Sequence, residues 1–343
     1  MRNWQWQAWL GVCLAGMCGV GSAAVLPYQE YSQKVRDAQQ LSALDDGLFG
    51  DTVSLFNGGT EFNVVDVSLP GNDALPVELR RRLNVVAEPS VGFVDRFGGV
   101  GNWDIDVPNI SGVVDGHFRW NSNSLGEARQ RCADRLYPST GSQARLSDIF
   151  HGFTIRIPGA DSKSLLAHET STYPKLGTGT AGLWTTRDLD AFTCTPMING
   201  YPGDGFVMHA ANGIRYFFDV GVERSIDAVQ GRNNTRRTRV QVFLLASRIE
   251  DRFGNSVSYT YDGDGYPVRI AGSDGREISL VYSQGKLVQA TVNGRQWQYG
   301  YNGEALGTVT LPDQSRWTYS YSGSLRPLYE FWDAEQGPTC SNY

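Results

Sequence analysis

The sequence predicts a mainly β protein whose C-terminal third is a tandem sheet of antiparallel β-hairpins, with two short helices ahead of it. Three observations predict this. The chain holds 40 glycines and is 12% aromatic, a pairing that suits short strands joined by tight turns. Apolar residues alternate, or nearly so, in segments from about residue 50 onward. Tyrosines and glycines return together at close to 20-residue intervals across 246–323.

The chain has 343 residues, enough for one or two domains with a sizeable core. Charged residues are 19% and the net charge is −6, which argues against a general nucleic-acid binder. Residues 1–24 read as a cleaved signal peptide. Arg2 is the lone charge, AWLGVCLAGMCGV follows, and Gly21-Ser22-Ala23-Ala24 supplies small residues for cleavage. The apolar run is shorter than the roughly 20 residues a membrane span needs. The expectation is an exported protein, secreted, periplasmic or at the cell surface, with no transmembrane span.

Residues 25–46 read as a helical arm. Tyr31, Val35, Ala38, Leu41 and Leu44 share one helical face, with Pro27 before them and Gly47 after. Residues 47–245 read as a β region. EFNVVDVSLPGN ends in Pro70-Gly71-Asn72 turn chemistry, and LRRRLNVV returns as a second strand with its arginines as solvated charges. A second short helix is expected over 125–136, opened by a capping box of Ser124 and Glu127. Its apolar face would bury Cys132. Strands resume with FTIRI and GLWTT, then GFVMHA and IRYFFDV around an Asn212-Gly213 turn. VQVFLLASRI leads into the repeat.

Tyr261, Tyr282, Tyr301 and Tyr321 are separated by 21, 19 and 20 residues. Two strands and two tight turns need about 20 residues, so each unit is one hairpin pair. Tyr259/Tyr261, Tyr299/Tyr301 and Tyr319/Tyr321 are spaced by two, which sets each pair on one strand face. Stacked units are expected to form aromatic cross-strand ladders. Gly254, Gly275 and Gly294 mark turns in phase, with Gln314-Ser315 in the fourth unit. Residues 324–343 form a tail.

RIEDRFGNSVSYTYDGDGYPVRI, from Arg248, resembles the lead-in and first unit of a YD repeat in RHS proteins. The literal pair stands at Tyr261-Asp262. FVMHAANGIRYFFD resembles the hairpin before such repeats. FGGVGNWDIDVPNISG and VVDVSLPGNDALPVELRRRLNVV are similar to segments of RHS N-terminal regions. The resemblance implies a bacterial protein whose repeats coil as a spiral β-sheet, here a partial shell. Long arrays of this family enclose a C-terminal toxin, as in Tc toxin complexes and polymorphic RHS toxins. This chain departs from the pattern: it has about four units and lacks the plug segment, its aspartyl cleavage site and an appended toxin. The resemblance therefore implies an exported, non-catalytic shell segment of a toxin or surface-delivery protein, either an N-terminal part or a truncated form. Its implied partner is a second polypeptide with further repeats, or another copy.

The residues carry few chemical alternatives. Cys132 and Cys194, inside the predicted folded region, are the candidate disulfide, and an odd mature count leaves Cys340 over. His117, His151, His168 and His209 form no metalloprotease motif, and no nucleophile elbow or phosphate loop appears. No enzyme, cofactor or metal is expected. Asp262-Gly263-Asp264-Gly265 reads as a hairpin turn rather than a calcium loop. Asn109-Ile110-Ser111 and Asn233-Asn234-Thr235 are nominal glycosylation sites. GRNNTRRTR reads as a basic surface loop. Trp297, Trp317 and Tyr301 could stack on sugar rings, or fill the space between units. The alternative function is accordingly a carbohydrate-binding or adhesion module.

Overall fold

The structure is a computed structural model that describes residues 51–53, 60–71, 75–85, 97–120, 131–133, 138, 140, 145–167, 181–200, 202–230, 236–321, 330–333 and 337–340. It is mainly β, with one 3₁₀ turn, Leu146–Asp148, as the helical element among the described residues. The leader and the helical arm lie outside those residues. Of the helix expected over 125–136, only 131–133 are described, and they form a turn.

The chain first lays down a covering layer. Strands β1 (Asp51–Val53), β2 (Thr60–Leu69), β3 (Val77–Val85), β4 (Gly99–Val100) and β5 (Trp103–Ile105) pair antiparallel in the order β1-β2-β3-β5-β4. Asp66 is the extra residue of a bulge, because Val65 pairs with Arg80 and Val67 with Leu79. A bulge re-aims a side chain that the pleat would otherwise send elsewhere.

Eight strands then close on themselves. They are β6 (Asn109–Asp115), β7 (Phe153–Arg156), β8 (Lys163–Ala167), β9 (Ala181–Thr185), β10 (Ala191–Pro196), β11 (Asp204–His209), β12 (Arg215–Gln230) and β13 (Arg236–Glu250). Each pairs antiparallel with the next, and β13 returns to β6 from Arg239↔Asp115 to Leu245↔Asn109. A barrel of eight strands has an interior that side chains can fill. Here Trp120, Trp184 and Phe192 all pack around Phe206, and Trp120 stacks on Phe153 at 3.7 Å. Gly112 makes room for that stack: a Cβ there would lie 2.4 Å from the Phe153 ring. The Sγ atoms of Cys132 and Cys194 are bonded, and the Trp184 indole N–H donates to the carbonyls of Arg131 and Cys132. The Asn212-Gly213 turn joins β11 to β12, with Gly213 at φ +83°.

Strand β13 belongs to two bodies. Val240 to Ala246 are buried without a break. Val242, Phe243 and Leu244 all pair opposite β6, and the Phe243 ring packs edge-on against Phe97 of the covering layer. From its end grows a meander: β14 (Ser256–Tyr261), β15 (Pro267–Gly272), β16 (Glu277–Ser283), β17 (Lys286–Val292), β18 (Arg295–Asn302), β19 (Ala305–Thr310) and β20 (Arg316–Thr318). Strand β3 passes over β15 and β16, and β4 meets β17 in a parallel bridge, Gly99↔Lys286. A second sheet holds only β21 (Glu330–Asp333) and β22 (Gly337–Cys340). Among the described residues, no helix is long and apolar enough to cross a membrane.

Candidate functional site: the tyrosine face of the repeat and its buried latch

Each repeat unit contributes one tyrosine-bearing strand and one aliphatic strand. Tyr259 and Tyr261 stack at 6.4 Å on one face, as their spacing predicts. The expected tyrosine-to-tyrosine ladder is replaced by something else. Tyr259 pairs with Ile270, Tyr282 with Leu287, Tyr299 with Val309 and Tyr301 with Leu306. Two strands per unit put successive tyrosine strands about 9.6 Å apart, so an aliphatic strand always stands between them.

A bulge recurs in three of the units opposite a tyrosine strand, with its extra residue, Val268, Val288 or Gly307, on the aliphatic strand. The register slips at Thr260/Tyr261, Val281/Tyr282 and Gly300/Tyr301. Repeated bulges bend a strand and increase its local twist. At the bulge the tyrosine can reach the preceding strand: Tyr261 donates to the Ala246 carbonyl at 2.7 Å and Tyr301 to that of Leu287 at 2.6 Å. Tyr282 departs from the pattern. Among the described residues its buried hydroxyl has no hydrogen-bond partner, and its ring stacks on Tyr266 at 5.2 Å. Burial raises Tyr261, Tyr282 and Tyr299 well above the ordinary phenol range, so these hydroxyls stay neutral donors and are poor nucleophiles.

The last tyrosines meet a buried charge pair from the covering layer. Arg81 Nε donates to both carboxylate oxygens of Asp66, at 3.0 and 2.8 Å. Their side chains are 2% and 5% exposed. Tyr299 donates to Asp66 Oδ2 at 2.9 Å, and Arg81 Nη2 donates to the Tyr319 hydroxyl. The guanidinium lies over the rings of Trp103 at 4.4 Å and Tyr319 at 4.9 Å. Trp103 Nε1 donates to the Tyr321 hydroxyl at 2.8 Å. Burial alone would lower Arg81, but the Asp66 charge outweighs it and raises the guanidinium above its ordinary value.

The segment FGGVGNWDI docks beside this latch. Asn102 Oδ1 accepts from Leu306 N at 2.9 Å. Gly101, at φ +66°, comes so close to the Glu304 carbonyl that a Cβ would sit 2.6 Å away. Arg224 donates to the carbonyls of Phe97 and Asp264 and lies over the rings of Phe97 and Tyr266. A second ionic cluster ties the layer to the barrel: Arg156 bridges Asp106 at 2.6 Å and Glu61 at 3.1 Å, and Arg82 reaches Asp104 at 3.4 Å. Burial pushes Glu61 upward, but Arg156 and Arg82 together hold its carboxyl below the ordinary value.

These contacts correct two expectations. The arginines of LRRRLNVV form a strand, but Arg81 is buried rather than solvated. Its position is in phase with Leu79 and Leu83, two residues to either side, so the pleat turns it inward. Arg237 and Arg239, read as part of a surface loop, belong to β13. Arg237 pairs with Asp115, and buried Arg239 donates to the Asp227 carbonyl.

The remaining candidates fall in separate places. Asp262 closes a turn by accepting from the amides of Asp264 and Tyr266. Asn109 is buried and donates to the Val107 carbonyl, which closes that sequon in the folded chain. Asn233 and His168 lie outside the described residues. His117 packs edge-on against Phe118, and His209 Nε2 is 2.9 Å from Thr193 Oγ1 on the neighbouring strand. Burial, and then Arg215, lower the His209 pKa. Trp297 is 8% exposed, so its ring fills the sheet face, whereas Trp317 is 56% exposed. A shallow groove of about 420 Å³ runs along Arg295, Gln296, Gln298, Thr310, Asp313 and Gln314. Among the described residues no cluster of three or more His, Cys, Asp or Glu side chains could hold a metal ion.

Sequence reading missed Asp66, Asn102 and Trp103. The signal for Asp66 was a carboxylate set between Val65 and Val67 and facing, across a Pro-Gly turn, an inward-phased arginine. No protein-family model matches this chain, and no curated protein matches it.

Proposed function

We propose that this chain is an exported, non-catalytic segment of an RHS/YD-type β-sheet shell, serving a toxin or surface-delivery protein. The observation that carries the reading is the bulge that returns on the aliphatic strand beside Tyr261, Tyr282 and Tyr301. It is a bend repeated in register along the sheet, which suits a coiling wall. The covered inner face and the exposed strand at the far end support the same reading, since a repeat array normally continues until something caps it. The test is expression together with any repeat-bearing reading frame beside the gene, followed by electron microscopy. A closed, hollow particle containing both chains is the expected result. Two chains that purify as separate species would overturn it. For export, N-terminal sequencing of envelope or medium fractions should begin at Ala24 or Val25.

Exposed Trp317 and the amide- and carboxylate-lined groove favour a second reading, a carbohydrate-binding module. Glycan-array binding that disappears in Trp317→Ala would support it over the first.

A further inference from the structure

One mouth of the barrel is stopped by the chain itself. It is the end where β6 finishes and β11 starts, and the connection between β6 and β7 supplies Trp120 and the turn 131–133 there. Arg131 and Cys132 are fully buried. Arg131 donates through Nη1 to the Asp204 carbonyl at 2.5 Å and through Nη2 to that of Pro202 at 2.7 Å. Its guanidinium lies 5.6 Å from the centre of the Trp120 ring. Ala133 N donates to the Asp204 carboxylate at 3.2 Å, and the Trp184 indole donates to the carbonyls of Arg131 and Cys132, both at 3.2 Å. Cys194 is two residues from Phe192 and opposite Phe206, whose rings meet inside the barrel, so it faces the same interior. Its bond to Cys132 tethers the turn in the mouth.

Two carbonyls, a carboxylate and an indole face give this mouth a definite chemistry. It fits a planar cation whose N–H groups diverge as a fork over an aromatic ring. An ammonium is a point charge and lacks the fork that reaches both carbonyls. The resident segment also leaves one donor unused. Trp120 Nε1 is buried and has no hydrogen-bond partner among the described residues. An incoming peptide can offer it a carbonyl, a contact that Arg131 does not bring.

We infer that this mouth is a receptor for a guanidinium-type cation, filled by the chain's own Arg131 while the Cys132–Cys194 bond stands and open to an arginine side chain of a partner polypeptide once that bond is reduced. The inference goes beyond the proposed function and does not need the repeat reading. Cys132 is buried and Cys194 half-buried, so a reductant approaches from the Cys194 side. A dithiol's thiolate attacks the Cys194 sulfur and expels Cys132 as a thiolate, which takes up a proton. The dithiol's second sulfur then releases Cys194 as a thiol and closes a cyclic disulfide. The tether is lost, and Arg131 becomes displaceable.

Fluorescence titration of the full chain with p-aminobenzamidine, a planar amidinium, tests this. After dithiothreitol treatment the chain should bind about one probe, at least about tenfold more tightly than before treatment. N-acetylargininamide should compete and butylammonium should not. Arg131→Ala with the disulfide intact empties the site. It should bind the probe without reductant, which keeps the test independent of the redox step. Amides of β12 and β13 should stay protected from hydrogen exchange after reduction, which separates a released turn from an unfolded barrel. Equal binding by the oxidised and reduced chain, or no binding by Arg131→Ala, would overturn the inference. Competition by butylammonium as effective as that by the arginine derivative would overturn it too, as would loss of protection across β12 and β13 on reduction.

Discussion

The barrel and the repeat sheet solve the same problem in opposite ways. Each is a set of antiparallel strands with one apolar face. The barrel hides that face by closing on itself, so its interior is aromatic and its ring of pairings is complete. The repeat sheet does not close. It hides its face under a layer contributed by residues far earlier in the chain and fastens that layer with a buried ion pair. Closure makes a body self-sufficient, while an open sheet depends on what covers it and on what meets its last strand. The two should therefore fail separately.

The largest expected effect falls on the open half. Arg81→Met leaves the Asp66 carboxylate buried without its cation, which should cost about 3–5 kcal/mol in denaturant unfolding. The double variant Asp66→Leu/Arg81→Met should recover most of that loss, because a buried pair is often replaceable by apolar groups. If both variants lose the same amount, the pair is not the fastening described here. Hydrogen exchange should rise in β16–β19 and leave β10–β11 unchanged.

Breaking the barrel should give the converse pattern. The Cys132–Cys194 link closes a 62-residue separation, worth about 4 kcal/mol as an upper estimate from chain entropy. Cys132→Ser/Cys194→Ser should approach that loss and raise exchange in β10–β11 while sparing β16–β19. Peptide mapping without reductant should recover the two cysteines in one linked pair. Free thiols at both positions would remove the basis of this contrast.

The two halves meet at the Glu61 cluster, and acid should separate them. Arg156 and Arg82 hold Glu61 below its ordinary value of 4.5 despite burial. A depressed carboxylate contributes stability that is fully present above its unfolded value and is lost as pH falls through the folded one. The stability gap between the wild-type chain and Glu61→Gln should thus be widest above pH 4.5 and narrow on acidification. A gap that does not change with pH would assign the Glu61 contribution to packing instead.

The open half was far more legible in sequence than the closed one. Period-2 alternation and the tyrosine-glycine phase marked its strands, because repetition makes every unit report the same rule. The barrel strands were visible singly as FTIRI, GLWTT, GFVMHA and IRYFFDV. Their closure depends on β13 returning to β6, a pairing more than a hundred residues apart that no local pattern encodes. The latch was hidden for a related reason. Arg81 looked like a member of a charged run, yet its inward phase and the bulge at Asp66 decide its environment, and a bulge leaves no trace in composition. Tyrosine pairs announced a shared face, whereas the aliphatic strand between them follows only from counting two strands per unit.

The smallest effect sharpens the comparison at the far end of the sheet. Three turns share one hydrogen-bond pattern, in which the fourth residue donates back to the first: Gly254 to Asp251, Gly275 to Gly272 and Gln314 to Leu311. The donor is left-handed in all three, at φ +89°, +90° and +71°. A side chain in that region costs about 1–2 kcal/mol. Glycine relieves it at an entropic cost of about 0.5–1 kcal/mol. Gln314 is exposed, so Gln314→Gly should stabilise the turn by about 0.5–1 kcal/mol. In a sheet whose units depend on their neighbours, that gain should appear locally, as two- to fivefold slower exchange at roughly the β19–β20 turn. The barrel amides should not respond. Faster exchange at the turn would show that Gln314 contributes through its side chain, in the groove it lines, more than its backbone costs.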